Sequence, residues 1–200
     1  MHLYSIFGTI LIWVSTCFAS VSVQPIPDSL YIKVDSFKSG TITQDTQAQL
    51  TQYPTEQARQ VLIDLRNNPG GRIHDAIGFS ALFVTHNALL WVETQAKKPL
   101  LITRPETHPF YTTKRLIIII NGKTAYSAEA ATHILMQHPN SIVIGSKSYG
   151  KTDIKSVSGT SPYRRLLLPT PKITPTLAMQ LLEHSAHTDD ILQIMQRLPN

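Results

Sequence analysis

The sequence predicts an α/β layered domain built on a largely parallel sheet with flanking helices. Three observations lead there. The stretch 61–65 (VLIDL) is a compact apolar run that stops at the turn cluster Asn67-Asn68-Pro69-Gly70-Gly71, the pattern of a buried strand entering a tight loop. The stretch 116–120 (LIIII) is apolar at every position, as expected of a central strand covered on both faces. Each is followed by a stretch with helical spacing, and strand–helix alternation of this kind builds parallel sheets.

The remaining elements follow in order. Residues 30–34 (LYIKV) alternate like a strand, after a short linker marked by Pro25 and Pro27. Residues 43–60 are polar helix formers interrupted by Pro54, so two short helical pieces are expected. Ile73, Ile77, Ala81 and Val84 fall on one face of a helix over 73–84. Further strands are expected at 89–92, 100–103, 141–144 and 166–168, and helices at 127–137, 176–183 and 189–198. Thr188 or Asp189 would cap the last of these.

With 200 residues, 42% of them hydrophobic and 16% charged, the chain has the means for one packed core. Its formal net charge of +5 is not gathered into a Lys/Arg run or a basic helix, so nothing points to nucleic acid. Residues 3–19 form an uncharged apolar run ending in Cys17-Phe18-Ala19, a small-x-small pattern followed by Ser20. This reads as a signal peptide over 1–19 and an exported, periplasmic or secreted, product. Membrane attachment would then require that the segment be retained, or lipidated at Cys17. Cys17 is the sole cysteine, so the mature chain has neither disulfides nor Cys–zinc sites. His74, His86, His133, His138, His184 and His187 lack metal-ligand spacing, and no metal or other cofactor is expected.

The chemistry-bearing stretch is 116–137 (LIIIINGKTAYSAEAATHILMQ). Ser127 stands near a helix start, where free backbone amides can stabilise an oxyanion; a serine there is also an ordinary N-cap. Lys151 lies on the loop beyond the next strand and can reach the same sheet end. To act as a base it must be partly desolvated, so that its pKa falls. Residues 145–152 (GSKSYGKT) match the phosphate-loop pattern GxxxxGK[ST]. The segment after them reads as strand and turn, however, and not as the helix that loop requires, so no nucleotide is expected.

Three blocks together resemble the tail-specific, or carboxyl-terminal processing, serine peptidases: 31–34 (YIKV) with Phe37 and 61–71 (VLIDLRNNPGG), then 121–129 (NGKTAYSAE), then 142–151 (IVIGSKSYGK). The resemblance spans roughly 30–198, making 30–200 the catalytic domain after a signal at 1–19 and a linker at 20–29. It implies a crotonase-like, ClpP-like fold and hydrolysis of protein or peptide substrates through an acyl-enzyme. Ser127 would be the nucleophile and Lys151 the general base. The oxyanion hole would comprise the Ala128 amide with one from Gly70 or Gly71, and Lys155 stands where many members carry an orienting glutamine. Family spacing is one residue longer than the 24 residues separating Ser127 from Lys151, and strict spacing falls on Tyr126. The alternative that follows is a catalytically inactive member that binds peptide or protein. No PDZ domain fits ahead of the core, which makes this a minimal member, and a homo-oligomer is left open.

Overall fold

The computed structural model describes residues 20–53, 58–105, 109–151, 153 and 163–167. The expected signal segment, the expected helices at 176–183 and 189–198, and Lys155 lie outside these residues. Strand β1 (Val21–Ile26) turns at Pro27 and Asp28 into β2 (Ser29–Val34), with which it pairs antiparallel. The sequence had suggested a linker over 20–29. Pro25 is tolerated within β1 because β1 is an edge strand, where a missing N–H costs no ladder bond.

Helix α1 (Ile42–Leu50) precedes β3 (Gln60–Asp64); of the two short helical pieces the sequence suggested, it is the one seen among the described residues, and residues 54–57 lie outside them. Then come α2 (Ile73–Ala81), β4 (Ala88–Thr94), β5 (Pro99–Thr103), β6 (Arg115–Ile120), α3 (Ser127–Leu135), β7 (Ser141–Gly145) and β8 (Tyr163–Leu166). The strands form two sheets. A five-stranded sheet has the order β1-β2-β3-β6-β7 and is parallel apart from β1; a three-stranded antiparallel sheet has the order β5-β4-β8.

Helices α2 and α3 lie between the sheets. Ala76, Phe79, Ala128, Ala131 and Leu135 pack with Ile32, Ile63, Ile118 and Val143 of the large sheet. Ile73, Ile77, Ala130 and Ile134 pack with Leu90, Val92 and Leu166 of the small one. Both helices therefore bury two faces, which fits the alanine-rich sequence of α3. The other face of the large sheet carries Tyr31, Leu62, Ile117, Ile119 and Ile144. The all-apolar run of β6 thus has buried side chains on both sides of its strand.

Among the described residues, no helix is long and apolar enough to cross a membrane. None of them forms a group of three or more His, Cys, Asp or Glu side chains able to hold a metal.

Candidate active site

Parallel strands bring their C-terminal ends to one edge of a sheet, and the loops beyond them build sites. Here the loops after β3, β6 and β7 are tied together. Asn67 and Asn121 exchange two bonds, Asn67 N to Asn121 Oδ1 and Asn121 Nδ2 to Asn67 Oδ1, each 3.0 Å. Thr124 Oγ1 donates to Leu65 O (2.8 Å), Ala125 N donates to Asn68 O (3.0 Å), and Tyr149 N donates to Thr124 O (2.9 Å). The Asn-Asn-Pro-Gly-Gly cluster is thus a docking frame for the loop that carries the candidate nucleophile.

That loop ends in a sharp turn. Tyr126 has φ 54° and ψ −117° and immediately precedes α3. A positive φ is costly for a bulky residue and persists only where its surroundings impose it. A strained residue between a strand and a helix is the geometry of a nucleophile elbow, which lifts one side chain out over the sheet end. In this chain the lifted residue is Tyr126. Ser127 follows as the first residue of α3; it is 3% exposed, and its buried Oγ has no hydrogen-bond partner among the described residues.

Lys151 turns to the same tyrosine. Its Nζ lies 5.0 Å from the centre of the Tyr126 ring and 5.5 Å from that of Tyr149. A hydrogen bond to the Tyr126 phenol is the main cause that raises the lysine pKa above its ordinary value. A general base needs the opposite shift. The expected Ser127–Lys151 pair is therefore not formed, because the elbow presents the residue before the serine.

The amides follow the same register. Ala128 N, expected in the oxyanion hole, already donates to Ala125 O (3.1 Å), and Gly70 N donates to Asn68 Oδ1 (2.8 Å). Gly71 N and Ser127 N have no hydrogen-bond acceptor among the described residues. In an elbow the donor is the amide after the lifted residue, which here is Ser127 N. Gly70, at φ 89°, packs directly beneath: a Cβ there would come within 2.7 Å of Ala125 O, 2.9 Å of Tyr126 Cβ and 3.0 Å of Ser127 N. Only glycine permits that approach.

Sequence reasoning missed Glu129. Its buried carboxylate accepts from Tyr126 N (2.9 Å), Ser148 Oγ (2.7 Å), Gly150 N (2.7 Å) and Lys151 N (3.0 Å). One side chain thus fixes both the elbow and the lysine loop. This also accounts for the phosphate-loop pattern, since the amides of Gly150 and Lys151 serve an internal carboxylate. Beyond them Asp153 bridges to Arg165, and no helix follows among the described residues. The available signal was spacing: a glutamate at the third helical position reaches back to the N-cap backbone, which marks residue 126 as the cap. Replacing Glu129 with alanine strands buried donors on two loops and is expected to cost ~2–4 kcal/mol. Urea unfolding measures this, and Glu129→Gln should cost less because it keeps an acceptor.

These features define an α/β protein with an elbow-like strand-to-helix turn at the end of its large sheet. Residues 28–191 match Peptidase family S41, and the chain belongs to that family. It is 24% identical over 131 residues to the carboxy-terminal-processing protease of Bartonella bacilliformis, covering 64% of this chain and 30% of that protein. It is 26% identical over 124 residues to the tail-specific protease of Haemophilus influenzae, covering 62% and 18%. The chain thus spans less than a third of the length of these curated relatives. Among solved structures, the photosystem II D1 C-terminal processing protease superposes with a TM-score of 0.64 at 15% identity, covering 78% of this chain and 48% of that one. A lipoprotein from Streptococcus agalactiae superposes with a TM-score of 0.62 at 19% identity, covering 90% and 71%. These superpositions bear out the layered α/β fold with a mostly parallel large sheet. Family membership supports a peptidase of the serine type.

Proposed function

We propose that this chain is an exported S41 protein that engages unfolded protein or peptide at the end of the large sheet without hydrolysing it. One observation carries the reading. The elbow holds Tyr126, clamped by Lys151, while the Ser127 hydroxyl is buried beneath it. A phenol at the attacking position is a poor replacement for a serine hydroxyl, because an aryl ester would have to form from an amide. A lysine ammonium held against the Tyr126 and Tyr149 rings and not desolvated is a cation and not a base. Family membership supports polypeptide as the ligand, and the apolar segment 3–19 supports export.

A second reading keeps the family reaction, with Ser127 as nucleophile, Lys151 as base and Lys155 in the orienting role. What favours it is the Ser127 hydroxyl itself, which has no hydrogen-bond partner among the described residues. Rotation of the elbow by one residue would be needed to expose it.

Casein hydrolysis by residues 20–200 separates the two. The expected result is a rate equal to the buffer blank, unchanged in Ser127→Ala and Lys151→Ala. Hydrolysis that disappears in both variants would establish the second reading and overturn the first.

A further inference from the structure

We infer that the outer face of the small sheet, together with the lysine-bearing tip of its β4–β5 hairpin, docks on the surface of an anionic lipid bilayer. The inference does not depend on whether the site at the end of the large sheet cleaves its ligand. Such contact needs neither a retained nor a lipidated N-terminal segment.

Strand side chains alternate between the two faces of a sheet. In the small sheet Leu90, Val92 and Leu166 point inward, where α2 and α3 bury them. The alternate positions form a second apolar row. Trp91 pairs with Leu101 of β5, and Leu167 N, just beyond β8, donates to Trp91 O (3.0 Å). An antiparallel sheet covered on one side ordinarily carries polar residues on the other. Here Trp91 is 50% exposed and Leu167 42%, and Leu100 on the edge strand β5 is exposed to the same degree as Leu167. Large apolar side chains gathered on an open face mark a contact surface.

The neighbouring charges select the partner. Strand β4 ends at Thr94, about 10 Å beyond Trp91, and the hairpin tip that follows carries Lys97 and Lys98. Both are exposed, and neither makes an ion pair among the described residues. The acids of this face are set toward β8: Glu93 lies opposite Arg165, which Asp153 pairs with at 3.2 Å. The whole chain has a formal net charge of +5. An indole and leucines beside free ammonium groups match a bilayer interface. There tryptophan sits at the level of the headgroups, leucines reach the acyl chains, and lysines meet anionic lipid. A second copy of the chain is the poorer fit. A stable protein interface uses about 20–30 residues a side, and this face offers four large apolar side chains.

Binding of residues 20–200 to vesicles tests this. That chain holds every described element and lacks the apolar segment 3–19, and Trp91 is its sole tryptophan, since the other is Trp13. Vesicles of three parts phosphatidylcholine to one of phosphatidylglycerol are expected to bind it at least about tenfold more tightly than phosphatidylcholine alone. The preference should vanish near 1 M salt, where charges are screened within about 3 Å. Trp91 emission should move to shorter wavelength on binding and be quenched by lipids brominated on their acyl chains. Lys97→Gln/Lys98→Gln should weaken binding about thirtyfold, the size of two surface charges. Trp91→Ala, followed by co-sedimentation, should weaken it at least about tenfold. No binding, equal binding to both vesicles, or binding that neither variant weakens would overturn the inference. So would an emission shift that appears without vesicles: on concentrating the protein to a dimer it would assign the face to a second copy, and on adding unfolded casein, to polypeptide.

Discussion

Replacing Tyr126 with serine is expected to convert this chain into a peptidase that depends on Lys151. The elbow geometry at position 126 comes from the backbone, because Gly70 packs beneath it and Glu129 accepts its amide. A serine there would be lifted over the sheet end in the tyrosine's place. Removing the phenol also removes the hydrogen bond that raises the lysine pKa. The fraction of the lysine that is neutral, which grows with pH, could then accept the hydroxyl proton as the oxygen attacks a peptide carbonyl. The oxyanion would face the amide of Ser127. The amine would leave with a proton, and water would hydrolyse the ester. The expected gain is at least about tenfold over the wild-type casein rate, small beside what complete serine-peptidase sites achieve. Activity should rise with pH as the lysine deprotonates, and Tyr126→Ser/Lys151→Ala should return to the blank. Tyr126→Gly controls for opening the cleft, since it clears the phenol without supplying a nucleophile and should remain inactive. A folded Tyr126→Ser protein that neither hydrolyses casein nor reacts with a serine-directed fluorophosphonate would show that position 126 is not the attacking position.

The sheet was legible where burial leaves a simple mark. Residues 116–120 are apolar at every position because β6 lies between β3 and β7 and is buried on both faces. Strand β1 was hidden because Pro25 and Pro27 read as a linker, and only its edge position makes Pro25 acceptable. The strands at 88–94 and 99–103 were visible, but alternation cannot say which sheet a strand joins, and these belong to the small antiparallel one.

The site was legible to within one residue, and that residue decides the chemistry. Ser127 is the hydroxyl a sequence offers. The lifted position is a backbone property, set by φ at Tyr126 and by contacts to Gly70 and Glu129, which lie 56 residues upstream and three downstream of it. Spacing to Lys151 already pointed to Tyr126; the preference for a chemically competent side chain pointed away from it.

Beside the site, the largest loss of stability is expected on replacing Asp64 with alanine. Asp64 ends β3 and is 1% exposed. Its oxygens accept from Arg66 Nη2 (2.6 Å), Arg66 N (2.9 Å) and the Tyr31 hydroxyl (2.7 Å), and Lys33 Nζ lies 3.5 Å away. Burial alone would raise the carboxyl pKa. The hydrogen bonds from Arg66 and the charges of Lys33 and Arg66 outweigh it and hold the pKa below its ordinary value. The same surroundings push the Tyr31 phenol far up, chiefly through burial and the adjacent Asp64 charge, so it remains a donor at all ordinary pH. Alanine removes the buried carboxylate on which Arg66, Tyr31 and Lys33 converge, while Lys33 keeps Asp35 at 3.9 Å, and the expected cost is ~3–5 kcal/mol in urea unfolding. Asparagine keeps an acceptor but not the charge and should cost less. The pH dependence has a definite sign. Because the folded pKa is depressed, the Asp64 contribution is fully present above the unfolded value, about 3.9, and is lost as pH falls through the folded one. The stability difference between wild type and Asp64→Asn should therefore be constant from pH 7 to 5 and shrink below about 4. A cost under about 1 kcal/mol for the alanine variant, or a difference that grows in acid, would mean that the loop after β3 is held by its asparagines alone and not by this charge cluster.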